Sequence, residues 1–128
     1  MIAAITQGIK VSVVTEYQPD YSSPGQQHHV FTYKITIENQ SEFTIQLVRR
    51  HWIISDAGYL QREVEGEGVV GNQPILEPGE KYSYVSGCSL KSGIGKMCGK
   101  YLMERIADGA SFQVTIPEFQ LIAPIRFN

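Results

Sequence analysis

Two prolines placed just after a glycine-rich run decide most of what this chain can fold into. Residues 66–74 read Gly-Glu-Gly-Val-Val-Gly-Asn-Gln-Pro, with the spacing G-x-G-x-x-G. A dinucleotide fingerprint of that spacing needs a helix opening at its third glycine, so that the pyrophosphate rests on the helix N-terminus. Here Pro74 and Pro78 follow Gly71 within seven residues. Proline lacks a backbone donor and clashes with the preceding turn, so no ordinary helix runs through this stretch. The motif is predicted to be a loop between strands. Two readings of that loop stay open. Successive amides can form a nest that holds a small anion such as a phosphate, or the glycines simply permit positive φ and close backbone approach.

Alternation with period two dominates the rest. Ile9, Val11 and Val13 alternate with Lys10 and Ser12, as in a half-buried strand. Phe31, Tyr33, Ile35 and Ile37 share one face of the next strand, and Asn39-Gln40-Ser41-Glu42 is its turn. Phe43, Ile45 and Leu47 begin a further strand, after which parity flips to Val48, Arg50, Trp52 and Ile54. A one-residue slip reverses every side chain. Either a β-bulge near Leu47-Val48 or burial on both faces accounts for the flip. Short strands follow from Tyr59 to Glu65 and through Tyr82 and Tyr84. Between these two, Glu77-Pro78-Gly79-Glu80 has type II turn chemistry. Met97–Arg105 contains helix formers, but Gly95, Gly99 and Gly109 flank or interrupt it, and it is read as a strand. Ser111 to Ile116 and Phe119 to Phe127 complete the set, with Phe119, Leu121, Ile125 and Phe127 alternating.

Seven to nine short strands with frequent turns predict an all-β, two-sheet immunoglobulin/fibronectin type III-like β-sandwich. The 128 residues fit a single domain. Residues 1–7 and the Pro/Gly/Ser-rich loop Gln18–Gln27 are expected to be flexible.

Charge and cysteines narrow the function. A net charge of -2 disfavours nonspecific nucleic-acid binding and acidic membrane surfaces. No apolar run reaches transmembrane length, and the start lacks the basic region of a signal peptide. Cys88 and Cys98 form no C-x-x-C or zinc spacing. A cytoplasmic location with free thiols is expected, the alternative being a disulfide between facing strands.

No serine lies in a G-x-S-x-G elbow, so no nucleophile is assigned. His28 and His29 are adjacent and point to opposite faces of a strand. Glu63, Glu65 and Glu67 share parity, which suits either a hard cation or a solvated acidic face, and no metal site is assigned. In Arg49-Arg50-His51-Trp52, Trp52 is the expected inter-sheet anchor. Arg49 and His51 then face outward, to meet an anion or a partner, or to pair with Asp56, Glu63 or Glu65.

Five ordered motifs resemble one family. Arg49-Arg50-His51-Trp52-Ile53-Ile54-Ser55-Asp56-Ala57 is similar to R-H-W-I-I-x-D-A, and residues 66–74 match G-x-G-V-V-G-x-Q-P. Leu76–Glu80 fits L-x-P-G-E, Gly95 with Met97–Tyr101 fits G-x-M-x-G-x-Y, and Ile116–Phe119 fits I-P-x-F. Together they resemble the bacterial ApaG family. The resemblance implies a fibronectin type III-like sandwich and an association with cobalt and magnesium efflux or resistance. It also implies a gene neighbouring that of diadenosine tetraphosphate hydrolase. Related domains in eukaryotic F-box proteins and in a polymerase-delta-interacting protein look like protein-interaction modules. The expectation is therefore a non-enzymatic, cofactor-free adapter. Its partner protein is expected to meet a rim made of Arg49, His51, Asp56, Gly66, Gly68, Gly71 and Gln73. Sensing of a small anion (pyrophosphate or a nucleotide) at the glycine loop, or direct binding of a divalent cation, are the alternatives.

Overall fold

A computed structural model describes residues 1–124. The alternating segments form, among these residues, β1 (Ile2–Thr6), β2 (Ile9–Tyr17), β3 (His29–Asn39), β4 (Ile45–Asp56), β5 (Arg62–Glu67), β6 (Ile75–Leu76), β7 (Lys81–Leu90), β8 (Ile94–Arg105) and β9 (Ser111–Ile122). One antiparallel sheet has the order β1-β2-β3-β7 and the other β5-β4-β8-β9, with β6 paired to the start of β4. The result is the expected immunoglobulin/fibronectin type III-like sandwich. Ile125 and Phe127 of the predicted last strand lie outside the described residues.

The core is built from the predicted faces. Ile9, Val11 and Val13 of β2 and Phe31, Tyr33, Ile35 and Ile37 of β3 are buried against Ile45, Leu47, Trp52 and Ile54 of β4. Trp52 is the anchor. Its ring meets Tyr33 of the opposite sheet at 5.4 Å and Phe119 of β9 at 5.8 Å in an edge-on contact, the arrangement aromatic quadrupoles favour.

The parity flip in β4 has the predicted cause. Its register against β8 shifts between Leu47 and Arg49, so Val48 is the bulged residue and burial passes from odd to even positions. A second bulge sits in β9. There Met97 pairs with Phe119 and Gly99 with Ile116, leaving Pro117 and Glu118 opposite one residue. The two segments predicted as separate strands at Ser111–Ile116 and from Phe119 onward are one strand through this bulge, where a proline costs no ladder bond.

The amino-terminal residues depart from expectation. Rather than forming a loose end, Ile2–Thr6 pairs along its length with Ile9–Val13. Thr6 Oγ1 also accepts a hydrogen bond from the Thr115 amide of β9 at 3.2 Å. The β1 side of the sandwich is thereby closed. Residues 18–27 hold two short 3-10 turns, Pro19–Tyr21 and Pro24–Gln26. The opposite side, where β5 and β7 are the outer strands, is open.

Candidate functional site

The glycine run is a locked structural turn. Val69 and Asn72 exchange both backbone hydrogen bonds, at 2.8 and 2.9 Å. Between them Val70 and Gly71 both have positive φ, +47° and +79°, which is the signature of a type I′ turn. Gly68 is also left-handed, and a Cβ there would lie 2.2 Å from the Asn72 carbonyl oxygen. The amides of Gly68, Val69 and Asn72 donate to carbonyls within the chain, so they do not converge on a common acceptor as a nest would. The conformational reading accounts for the glycines.

The same turn is fastened to the β4 bulge. The Val48 carbonyl accepts from the Gly68 amide at 2.8 Å and from Gln73 Nε2 at 2.9 Å. The Leu47 amide donates to the Pro74 carbonyl at 3.0 Å. From the inner side Arg50 Nη1 donates to the carbonyls of Glu67 and Gly68, each at 3.0 Å. Gly66 makes room for this guanidinium, since a Cβ there would approach Arg50 Nη1 to 2.8 Å. Gly66, Gly68, Gly71 and Gln73 therefore share one motif because they build one loop–bulge unit.

Of the other expected rim residues, Arg49 pairs in register with Glu67 of the glycine run and His51 with Glu65, while Asp56 lies elsewhere. Arg49 is exposed and His51 half-buried on the outer face of β4, beside a shallow 210 Å³ depression shared with Lys100 and Gln113. His51 Nε2 lies 3.3 Å from Glu63 and 3.6 Å from Glu65 on the neighbouring strand. Asp56, at the far end of β4, is seven positions from Arg49, roughly 24 Å at strand rise. It is 7% exposed. Its oxygens accept the Lys91 amide at 2.7 Å, the Ser92 amide at 3.1 Å and Ser92 Oγ at 2.6 Å. Burial alone would raise its pKa. These hydrogen bonds and the Arg62 charge outweigh it and hold the carboxyl below its ordinary value. Asp56 thus pins the β7–β8 turn, set apart from Arg49, His51 and the glycine loop.

A different concavity is present at the open side. A cleft of about 410 Å³ runs between β5 and β7, walled by Arg50, Trp52, Arg62, Val64, Val70 and Tyr84. Arg50 and Arg62 mark two points along it. Arg62 Nη2 reaches across to the Ser89 carbonyl of β7 at 2.8 Å. Among the described residues neither guanidinium has a carboxylate within 4.0 Å. At the back of the cleft the Tyr84 and Tyr101 hydroxyls are hydrogen-bonded to each other, joining the two sheets. Burial pushes both phenols above the ordinary tyrosine value, Tyr101 well above it. Cys88 lines the same cleft. Burial raises its thiol pKa, with Arg62 pulling the other way. Cys98 lies in the other sheet, and both thiols are free.

The parity that puts Arg50 on the Trp52 side was visible in the sequence. Arg62, Tyr84 and the cleft itself were not, because they depend on which strands end up at the edges. Among the described residues no group of three histidine, cysteine or acidic side chains is arranged to hold a metal ion, and no helix is long and apolar enough to cross a membrane.

The family model for the ApaG domain matches residues 19–105, which span β3 to β8 and every element of the loop–bulge unit. Protein ApaG of Anaeromyxobacter dehalogenans is 47% identical over 128 residues, covering 100% of both chains. Protein ApaG of Paramagnetospirillum magneticum is 46% identical over 124 residues, 97% of this chain and 95% of the relative. Among solved structures, the putative ApaA protein from Bordetella pertussis superposes with a TM-score of 0.87 at 45% identity. That match covers 91% of this chain and 94% of the other. Since the family model covers β3 to β8 with the locked glycine turn, and the relatives match over nearly the whole chain, this chain belongs to the ApaG family.

Proposed function

We propose that the chain is an adapter-type binding module that docks a partner protein along its open side and performs no turnover of its own. The carrying observation is the cleft between the outer strands β5 and β7, with aromatic walls, two arginines and the exposed Val70 at its rim. Unpaired strand edges beside an apolar hollow are a recurring means of taking up an extended segment of another protein. The polar groups of a kind that could do chemistry are engaged in holding the fold. Asp56 binds the Lys91–Ser92 turn, and His51 leans on Glu63 and Glu65. The raised pKa of Cys88 disfavours its reactive thiolate. Free thiols suit a reducing cytoplasm. The association with cobalt and magnesium efflux that family resemblance implies would then run through the partner rather than through ion binding by this chain.

Affinity capture from native cytosol tests the reading, comparing wild type with Val70→Glu at the cleft rim and Arg49→Glu on the outer face. The expected result is a partner lost with Val70→Glu and kept with Arg49→Glu. Equal recovery of every protein by all three baits would count against docking at the open side.

A further inference from the structure

The two arginines of the cleft have a definite spacing. Arg50 pairs with Gly66, and Arg62 pairs with Ile54. The pair is thus offset by four strand positions, which is roughly 14 Å along the strands at about 3.4 Å per residue. Both side chains belong to the inner face, and Trp52 with its neighbour Val64 lies between them. Each guanidinium makes its observed hydrogen bonds to neutral acceptors only: carbonyls of Glu67 and Gly68 for Arg50, and the Ser89 carbonyl and Cys88 sulfur for Arg62. The carboxylate whose field Arg62 feels is Asp56, and its oxygens are already occupied by Lys91 and Ser92. Arginine presents five donors in a planar fork matched to carboxylates. Among the described residues the Nε and Nη2 donors of Arg50 have no protein acceptor, and neither is sealed from solvent.

Val70 adds an independent observation. A β-branched residue at φ +47° is strained, and Val70 is nonetheless 60% exposed at the cleft rim. Strain of this kind persists where the surroundings enforce it and collects at ligand-contacting sites.

We propose that the cleft recognises an extended acidic segment of the partner protein with two carboxylates four residues apart and an apolar side chain midway. This rests on the docking reading above. In an extended chain, residues i, i+2 and i+4 face one side. The outer two reach Arg50 and Arg62, and the middle one covers Val64 and Trp52 beside Val70. Strand positions roughly 14 Å apart match the repeat of an extended chain better than the size of a single small anion such as pyrophosphate, so the paired spacing favours a chain over a free ion.

NMR titration of the full chain tests this with three blocked peptides. The first is Ala-Glu-Thr-Val-Thr-Glu-Ala, the second carries glutamine at both acidic positions, and the third places the two glutamates two residues apart. The expected result is shifts at the Trp52 indole, the Arg50 and Arg62 side-chain N–H groups and residues 66–71. The first peptide is expected to bind at least tenfold more tightly than either control, and to lose about tenfold with Arg62→Gln. A thermal melt verifies that this variant is folded, and the glutamine peptide tests the same point with the protein unaltered. Equal binding of the glutamate and glutamine peptides would overturn the proposal. So would shifts confined to the outer face around Arg49 and Lys100, the absence of shifts at millimolar peptide, or displacement of the first peptide by equimolar pyrophosphate. A partner captured equally by wild type and Arg62→Gln, but lost with Val70→Glu, would remove the acidic recognition while leaving docking at the open side in place.

Discussion

Val70 is the residue whose side chain disagrees most with its backbone. A left-handed conformation costs an L-residue roughly 1–2 kcal/mol, and a type I′ turn prefers asparagine before glycine. Val70→Asn, followed by Gly71, is expected to raise stability by about 1 kcal/mol in urea melts. The same change is expected to weaken partner capture, because it removes the apolar rim of the cleft. Asp56 behaves in the opposite way. Its folded pKa is depressed, so the stability it contributes is present above the unfolded value near 3.9 and is lost as pH falls through the folded value. Asp56→Ala is expected to cost about 3 kcal/mol at neutral pH, from charge-assisted hydrogen bonds lost to Lys91 and Ser92. Its urea midpoint should also vary less than that of wild type between pH 6 and 3. Sequence alone offered Asp56 as a rim residue beside Arg49 and His51, or as an ion-pair partner for them. Its partners stand 35 and 36 positions away, beyond any local pattern.

Among elements, β4 carries the most. Its bulge at Val48 switches the buried parity, and that switch turns Arg50 inward and Arg49 outward. The flip could be read in the order of apolar residues, because a single break in strict alternation requires either a slip in register or burial on both faces. What clamps the bulge could not, since Gln73 reaches the Val48 carbonyl from a loop 25 positions away. Gln73→Ala is expected to cost about 1 kcal/mol and to speed amide exchange at Gly68 and Asn72 more than in the core strands. Trp52→Ala removes the ring that packs against both Tyr33 and Phe119 and is expected to cost roughly 3–5 kcal/mol, measured by denaturant unfolding. Residues 1–7 show the reverse limit. Ile2 and Ile5 look like a stray apolar end, yet they form a strand because β2 offers an unpaired edge, which only the assembled sheet reveals.

Across the whole molecule the two sides of the sandwich differ. One is closed by β1 against β9, and the other is left open between β5 and β7, with the Tyr84–Tyr101 pair at the back of its cleft. Both phenols have raised pKa values, so the stability they contribute is complete below about pH 10, the unfolded value. It falls as pH rises from there toward the folded values. The urea midpoint is expected to drop between pH 9 and 11, and to drop less in Tyr101→Phe. That variant also loses about 1–2 kcal/mol at neutral pH, as the Tyr84 hydroxyl loses its partner.

Period-two alternation and proline punctuation, by themselves, determined that this chain is a layered all-β domain, that Trp52 fills its centre, and that the glycine run is a turn and not the start of a nucleotide-binding helix. Those are consequences of backbone geometry, which acts over a few residues and is written locally. Tertiary structure alone decided which strands became edges, that Arg50 and Arg62 share a cleft while Arg49 and Asp56 stand far apart, and that the Gly68 amide is bonded to the Val48 carbonyl of the β4 bulge. Each of these depends on contacts between segments distant in sequence. Such contacts exist only once the sheets have paired and packed.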